Sequence, residues 1–457
     1  MVTSLPLTVP RIVVAAPASG HGKTTVATGI IRALTSRGFT VAPFKVGPDY
    51  IDPGYHGLAA GRVGRNLDPY LVGTERVAPL FAHGAAGADI AVVEGVMGLY
   101  DGATGEGELA STAQVAKLLQ APVLFVVDAA AQGRSIAALV HGFRAFDPEV
   151  RFAGVILNRV GSQTHRSILT DALDELGVPV LGALRREAAV SAPSRHLGLV
   201  PVAERRAEAV DAVDALGGLL DTSVQLDEVY RLARSAPPLA VTAWDPAEEV
   251  GRGCGPRPRI AVASGPAFTF SYAENAELLA AAGAEVCPFD PLHDEALPEG
   301  VGGLVLGGGF PEVYAPELAA NEALREEVSR FGRLGGAIAA ECAGLLYLGK
   351  SLDGLPMCGV VDAEAVMTDR LTLGYRHAVA ASESVLAAAG TRVSGHEFHR
   401  TAVSPSAGSP PAWHWRRNGG AVTEGFAGTR IHASYLHLHW AGAPSIARRL
   451  VESCGVV

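Results

Sequence analysis

Short apolar runs punctuate the first half of the chain, and each is followed by a stretch in which apolar residues return every three or four positions. Arg11–Ala16, Phe39–Phe44, Asp89–Val93, Pro122–Asp128, Phe152–Asn158 and Pro179–Leu184 are brief and rich in β-branched residues, as buried strands are. Between them, Thr24–Arg37, Leu109–Leu119, Ser135–Phe146 and Gln163–Leu176 carry the helical period. This alternation predicts an α/β fold with a doubly wound, mostly parallel sheet and ligands at the carboxyl ends of its strands. After about Ser235 the rhythm breaks. Ala236–Pro258 is rich in proline, glycine and charge and reads as a linker. A second α/β pattern begins at Arg259–Ser264 and continues through Gly302–Leu306 and Ala337–Glu341 to a helix after Pro444. The expected organisation is a domain over 1–235, a linker over 236–258 and a second domain over 259–457.

Composition narrows the class. A chain of 457 residues exceeds one ordinary core, and 48% hydrophobic with 18% charged residues describes a globular protein. A net charge of −10 and the lack of any basic run argue against nucleic-acid binding. Five scattered cysteines (Cys254, Cys287, Cys342, Cys358 and Cys454) show no metal-site spacing and fit a reducing compartment better than a disulfide framework. No secretion signal or bilayer-length apolar run is visible, so a soluble cytoplasmic protein without a membrane partner is expected.

Two motifs carry chemistry. APASGHGKTT (Ala16–Thr25) lies between a strand and a helix and matches a phosphate-binding loop, except that Pro17 replaces its first glycine. Its amides and helix N-terminus suit phosphate, Lys23 suits charge neutralisation, and the Thr24 hydroxyl suits Mg²⁺. Two acidic clusters, KVGPDYIDPGYH (Lys45–His56) and VVEGVMGLYDG (Val92–Gly102), follow the next strands. Parallel strands share a carboxyl end, so both clusters should emerge beside the phosphate loop. Glu94 stands where an acid commonly supports Mg²⁺, while Asp49, Asp52 and Asp101 suit the metal, the acceptor or simple turn formation. As loop carboxylates they should matter little to folding. Arg62 and Arg65 suit substrate carboxylates or solvent, and Asn158 suits an adenine edge.

The second motif is AAECAGLLYL (Ala339–Leu348), which places Cys342 between a strand and a helix like a nucleophile elbow. The helix N-terminus should favour its thiolate. LGGGFPE (Leu306–Glu312) offers unobstructed backbone amides for an oxyanion hole. In SYLHLHW (Ser434–Trp440), His437 and His439 share a strand face, and the pattern leaves both open as the base. HEFH (His396–His399) lacks the spacing of a zinc helix.

Together with RNLD (Arg65–Asp68) and PSRHLGLVP (Pro193–Pro201), these motifs resemble the glutamine-dependent a,c-diamide synthases of corrin biosynthesis, from about Arg11 to Pro201 and from Arg259 to Trp440. The resemblance implies a dethiobiotin-synthetase-like P-loop domain joined to a class I glutamine amidotransferase domain. It implies ATP at Gly20, Gly22, Lys23, Thr24, Thr25 and Asn158, Mg²⁺ at Thr24, Glu94 and Asp49, and a corrinoid polycarboxylate near Tyr50, Asp52, Arg65 and Asp101. Cys342 and His437 would form the glutaminase pair, with Gly308 and Gly309 as the oxyanion hole. His439 occupies the place where the wider amidotransferase class has a glutamate, so a Cys–His dyad is implied. ATP would convert a carboxylate to an acyl phosphate, and ammonia from glutamine would displace the phosphate. A sister synthase acting on other corrin carboxylates, CTP synthase and a P-loop ATPase with an inert C-terminal module are the alternatives. A homodimer is compatible with all of them.

Overall fold

The computed structural model describes residues 6–186, 194–195, 198–251, 257–417 and 419–454. Cys254, and Pro193, His196 and Leu197 of PSRHLGLVP, lie outside these residues. The chain forms two compact units, Met1–Trp244 and Asp245–Val457.

In the first unit seven strands form one sheet: β1 (Arg11–Ala15), β2 (Val41–Val46), β3 (Arg65–Leu67), β4 (Ile90–Glu94), β5 (Val123–Asp128), β6 (Phe152–Val160) and β7 (Val180–Arg185). Their order is β3-β2-β4-β1-β5-β6-β7, and every neighbouring pair is parallel. β1, β2 and β4 are buried along their whole length, which explains why they read as unbroken apolar runs rather than alternating ones. The order places the carboxyl ends of β2, β4 and β1 side by side. Helix α1 (Lys23–Ser36) starts directly after the glycine-rich loop. Helix α2 (Asp52–Ala60) occupies part of what reads in sequence as an acidic loop. Three-residue β3 is too short to show a period.

The stretch expected as a linker is divided between the units. Pro237 accepts a hydrogen bond from the buried Arg11 guanidinium (2.6 Å), Leu239 pairs with Leu7, and Trp244 is buried with its ring edge on His83. Asp245 then caps a short helix, Pro246–Val250, that starts the second unit. Leu239, Trp244 and Val250 are the apolar anchors that proline, glycine and charge outweigh in a composition count.

The second unit contains the parallel strands Glu285–Phe289, Arg259–Ala263, Val301–Leu306, Ala337–Glu341 and Ile431–Ser434, in that spatial order, with Phe426–Gly428 antiparallel at the edge; the second, third and fourth of them are the expected ones. It also contains a layer that the alternating pattern does not announce. Glu364–Ala380 and Arg392–Ser404 form a long antiparallel pair, and His437–Leu438 joins the latter. Much of Glu364–Ala380 is solvent-facing, so few of its side chains carry an apolar signal. Among the described residues, no helix is long and apolar enough to cross a membrane.

Candidate active sites

Both candidate sites form where parallel strands end. In the first unit, residues 16–22 leave β1 and enter α1 through Gly20 and Gly22, at φ +83° and +97°. Glycine alone adopts such angles at little cost. Asn158 Nδ2, at the end of β6, donates to His21 O at 2.9 Å, and His21 Nδ1 accepts from the Asp128 amide at 2.9 Å. A Cβ on Gly22 would lie 2.2 Å from Asn158 Nδ2. Asn158 therefore fastens the phosphate loop, a contact different from the adenine reading expected of it.

Lys23, buried at the start of α1, donates to Ala18 O and Met97 O. Burial, then the charge of Lys45, pushes its ammonium down to about 8. Beside it, Thr24 Oγ1 donates to Glu94 Oε1 at 2.6 Å and lies 3.3 Å from Asp52 Oδ2. Lys45, the register partner of Glu94, donates to Asp52 Oδ2 (2.7 Å), Glu94 Oε1 (2.8 Å) and Gly95 O (3.2 Å). His56 Nε2 is 2.7 Å from Glu94 Oε2. Burial alone would raise the Glu94 carboxyl, but Lys45 and His56 hold it well below the usual range. Burial and then the neighbouring Asp49 push Asp52 up to about 6, against the pull of Lys45.

The acids divide their work differently from the expectation. Asp49 Oδ1 accepts the Ile51 and Asp52 amides at 2.7 and 2.9 Å, so Asp49 secures the entry to α2 while Asp52 faces Thr24. Asp101, exposed, accepts from the Gly98 amide at 2.9 Å. Tyr50 lies half-buried in the bend before α2, and Thr25 is half-buried in the first turn of α1. Arg65 packs over Gly84, and Arg62 donates to Gly84 O and Ala86 O. Among the described residues no three His, Cys, Asp or Glu side chains form a metal cage. A hydroxyl with one or two carboxylates, completed by phosphate oxygens, is nonetheless the donor set that Mg²⁺ accepts. The residues fit it.

In the second unit, Cys342 joins the strand Ala337–Glu341 to the helix Ala343–Leu348 at φ +48° and ψ −99°, a strained left-handed turn for a non-glycine residue. The Cys342 amide is held by Ser434 O at 2.7 Å. Gly344 donates to Gly307 O at 3.0 Å and has no room for a Cβ, which would lie 2.3 Å from Leu306 O. The elbow and the glycine-rich loop are thereby locked together. His437 lies against that loop: a Cβ on Gly308 would be 2.4 Å from His437 Cε1. His439 instead stacks on Tyr272 (4.3 Å, 22°), with Nε2 3.6 Å from Glu274 Oε2. Proximity to the loop favours His437 as the base.

Two expectations change here. Burial, followed by the charge of Glu312, raises the Cys342 thiol far above its ordinary value, and the adjoining Ala343 amide only partly offsets this. The low dielectric outweighs the helix terminus, which has just one short helix behind it. The Gly308 amide, expected in the oxyanion hole, donates instead to Phe270 O at 3.1 Å.

A CobQ/CobB/MinD/ParA nucleotide binding domain matches residues 12–200, and a CobB/CobQ-like glutamine amidotransferase domain matches residues 259–445. The chain is 62% identical to the hydrogenobyrinate a,c-diamide synthase of Streptomyces coelicolor, with 98% of each chain covered. It is 52% identical to that of Thermobifida fusca, covering 97% of this chain and 96% of the relative. It is 40% identical to the cobyrinate a,c-diamide synthase of Dehalococcoides mccartyi, covering 97% and 98%. The chain belongs to the a,c-diamide synthase family.

For this a,c-diamide synthase family member, sequence reasoning overlooked Lys45, His56 and His396. Lys45 and His56 open and close the KVGPDYIDPGYH motif, and their signal was a cation and an imidazole flanking acids beside a nucleotide loop.

Glu94 is a buried strand-end charge rather than a loop carboxylate, so Glu94→Ala should strand Lys45 and His56. Calorimetric unfolding is expected to show a loss of about 3 kcal/mol or more, against about 1 kcal/mol or less for the exposed Asp101→Ala. Equal, small losses would contradict the buried ion pair.

Lys23 carries a second expectation. Its ammonium is present below about pH 8 and lost as pH rises through that value. Triphosphate binding favours the cation, so titration calorimetry at pH 8 in two buffers of different ionisation enthalpy should register proton uptake. Lys23→Met should abolish that uptake, and nucleotide affinity in the parent should weaken from pH 7 to pH 9.

Proposed function

We propose that this chain amidates the a and c carboxylates of hydrogenobyrinate, using ATP to activate each carboxylate and glutamine as the nitrogen source. The observation that carries the reading is the presence, in one chain, of a phosphate loop backed by Thr24 and Glu94 and a strained Cys342 elbow locked to the glycine-rich loop that His437 lies against. Hydrogenobyrinate is favoured over its cobalt-bearing counterpart because the relatives at 52 and 62% identity bear that name, whereas those named for cobyrinate stand at 40 to 43%.

In the first unit a substrate carboxylate oxygen attacks the γ-phosphorus of ATP, forming an acyl phosphate and releasing ADP. Lys23 and the loop amides bear the charge of the transferring group. Thr24, Asp52 and Glu94 are the residues that would hold Mg²⁺, which, when bound with ATP, supplies charge neutralisation. Lys45 holds Glu94 ionised and both acids in place.

In the second unit His437 takes the Cys342 proton as sulfur attacks the glutamine amide carbon. The amides of Gly309 and Ala343 stabilise the oxyanion, and the imidazolium returns the proton to the departing ammonia. Water then hydrolyses the thioester to glutamate. Ammonia displaces phosphate from the acyl phosphate, giving the amide. Burial keeps Cys342 a neutral thiol, so ionisation and attack are coupled through His437.

Three variants test the assignment. Cys342→Ser and His437→Ala should lose glutamine-dependent amidation yet keep it with an ammonium salt at mildly alkaline pH. Lys23→Ala should lose amidation with either nitrogen donor while still releasing glutamate from glutamine. Product mass with hydrogenobyrinic acid should rise by two amidations. Parent-like use of glutamine by Cys342→Ser would refute the glutaminase reading, and retained amidation in Lys23→Ala would refute the phosphate-loop reading.

A further inference from the structure

Glu424 ends the strand Gly420–Glu424 in the second unit, 5% exposed, and takes no part in the steps of glutamine hydrolysis. A carboxyl at such depth needs hydrogen-bond partners, and Glu424 finds them in one bend of the chain. Its Oε2 accepts the Ser434 hydroxyl at 2.6 Å, and its Oε1 accepts the Tyr435 amide at 2.8 Å. The Ser434 hydroxyl in turn accepts the Leu436 amide at 2.9 Å. Gly425 makes the approach possible: it follows Glu424 at φ +78°, and a Cβ there would lie 2.8 Å from Ala433 O. One side chain thus gathers the three consecutive residues 434–436.

Both members of the glutaminase pair hang on that bend. The Ser434 carbonyl accepts the Cys342 amide at 2.7 Å, and His437 follows Leu436 directly. Cys342 sits at φ +48°, and such a backbone persists only where its surroundings over-determine it. A carbonyl can hold the elbow there only if it is itself fixed. His437 runs on into a bridge with His396, and the two rings stack with centroids 4.9 Å apart and planes 11° from parallel. Tyr435 is braced as well: its hydroxyl donates to Thr401 Oγ1 at 2.8 Å, and its ring stacks on His399 at 3.7 Å. We propose that Glu424 is a positioning residue for glutamine hydrolysis, clamping the bend 434–436 so that Ser434 O holds the Cys342 elbow and the chain delivers His437 to the glycine-rich loop. The inference rests on the assignment of Cys342 and His437 above. Burial, partly offset by the two hydrogen bonds, raises the Glu424 carboxyl to about 8. The clamp therefore works through hydrogen bonds more than through charge, and glutamine, uncharged and of the same shape, is the informative replacement.

Glu424→Ala, Glu424→Gln and Ser434→Ala in the full chain separate this role from others. Glu424→Ala should lower kcat for glutamine hydrolysis about 10- to 100-fold, the scale of a misplaced catalytic group. KM for glutamine should change little, and ammonium-dependent amidation should match the parent. Glu424→Gln keeps an acceptor for the Tyr435 amide and a polar partner for the Ser434 hydroxyl, and should recover most of kcat. Ser434→Ala should also lower kcat, but should cost far less when added to Glu424→Ala, because both changes break one clamp. Parent-like hydrolysis by Glu424→Ala overturns the proposal, as does a glutamine variant no faster than alanine, or full additivity of the two alanine changes. Should Glu424→Ala not fold, Ser434→Ala decides: a loss of about 10-fold or more in kcat at unchanged KM supports the clamp, and any smaller loss refutes it. Glutamine hydrolysis surviving in Cys342→Ser and His437→Ala would instead sink the underlying site. Loss of hydrolysis in those two with none in Glu424→Ala sinks only the positioning role.

Discussion

The first unit depends on one buried charge. Glu94 sits fully enclosed at the end of β4 and holds a negative charge there only because Lys45, Thr24 and His56 converge on its two oxygens. These partners come from β2, from the first turn of α1 and from α2, so a single carboxylate ties together the three elements around the phosphate loop. An isolated carboxylate at this depth would be neutral. Paired, it fixes the Thr24 hydroxyl and Asp52 before any nucleotide arrives, and preorganisation of this kind is what phosphoryl transfer chiefly requires of a protein.

The two units solve opposite electrostatic problems with the same topology. Each places its chemistry at the carboxyl ends of parallel strands, where side chains and amides face outward from a rigid sheet. The first concentrates ions, because phosphate charge must be met. In the second, burial drives both Cys342 and His437 toward their neutral forms.

Much of this was legible in the chain itself. The strands from β1 to β7, apart from short β3, and the helix α1 emerge within a residue or two of the apolar runs that signal them, because buried parallel strands cannot alternate. That the two acidic clusters emerge beside the phosphate loop followed from strand polarity; that Asp52 rather than Asp49 faces Thr24 did not. What escaped were properties that depend on partners distant in sequence. Asp49 and Asp52, three residues apart in one loop, take different tasks only because α2 begins at Asp52 and points the Asp49 side chain at its amides. The burial of Glu94 depends on Lys45, 49 positions away. The stacking of His396 on His437 depends on a long antiparallel pairing whose exposed partner strand has weak apolar periodicity. His437 and His439 share a face in the sequence pattern, but only the glycine-rich loop tells them apart.

The elevated Cys342 thiol has a consequence for the life of the protein between turnovers. Thiolates, not thiols, are what peroxide and adventitious electrophiles attack, and the first oxidation step to a sulfenic acid scales with thiolate content. An enclosed sulfur that stays protonated at rest is therefore shielded both sterically and chemically from irreversible over-oxidation. The same burial that makes Cys342 a sluggish nucleophile on its own is what withholds its sulfur from such oxidants.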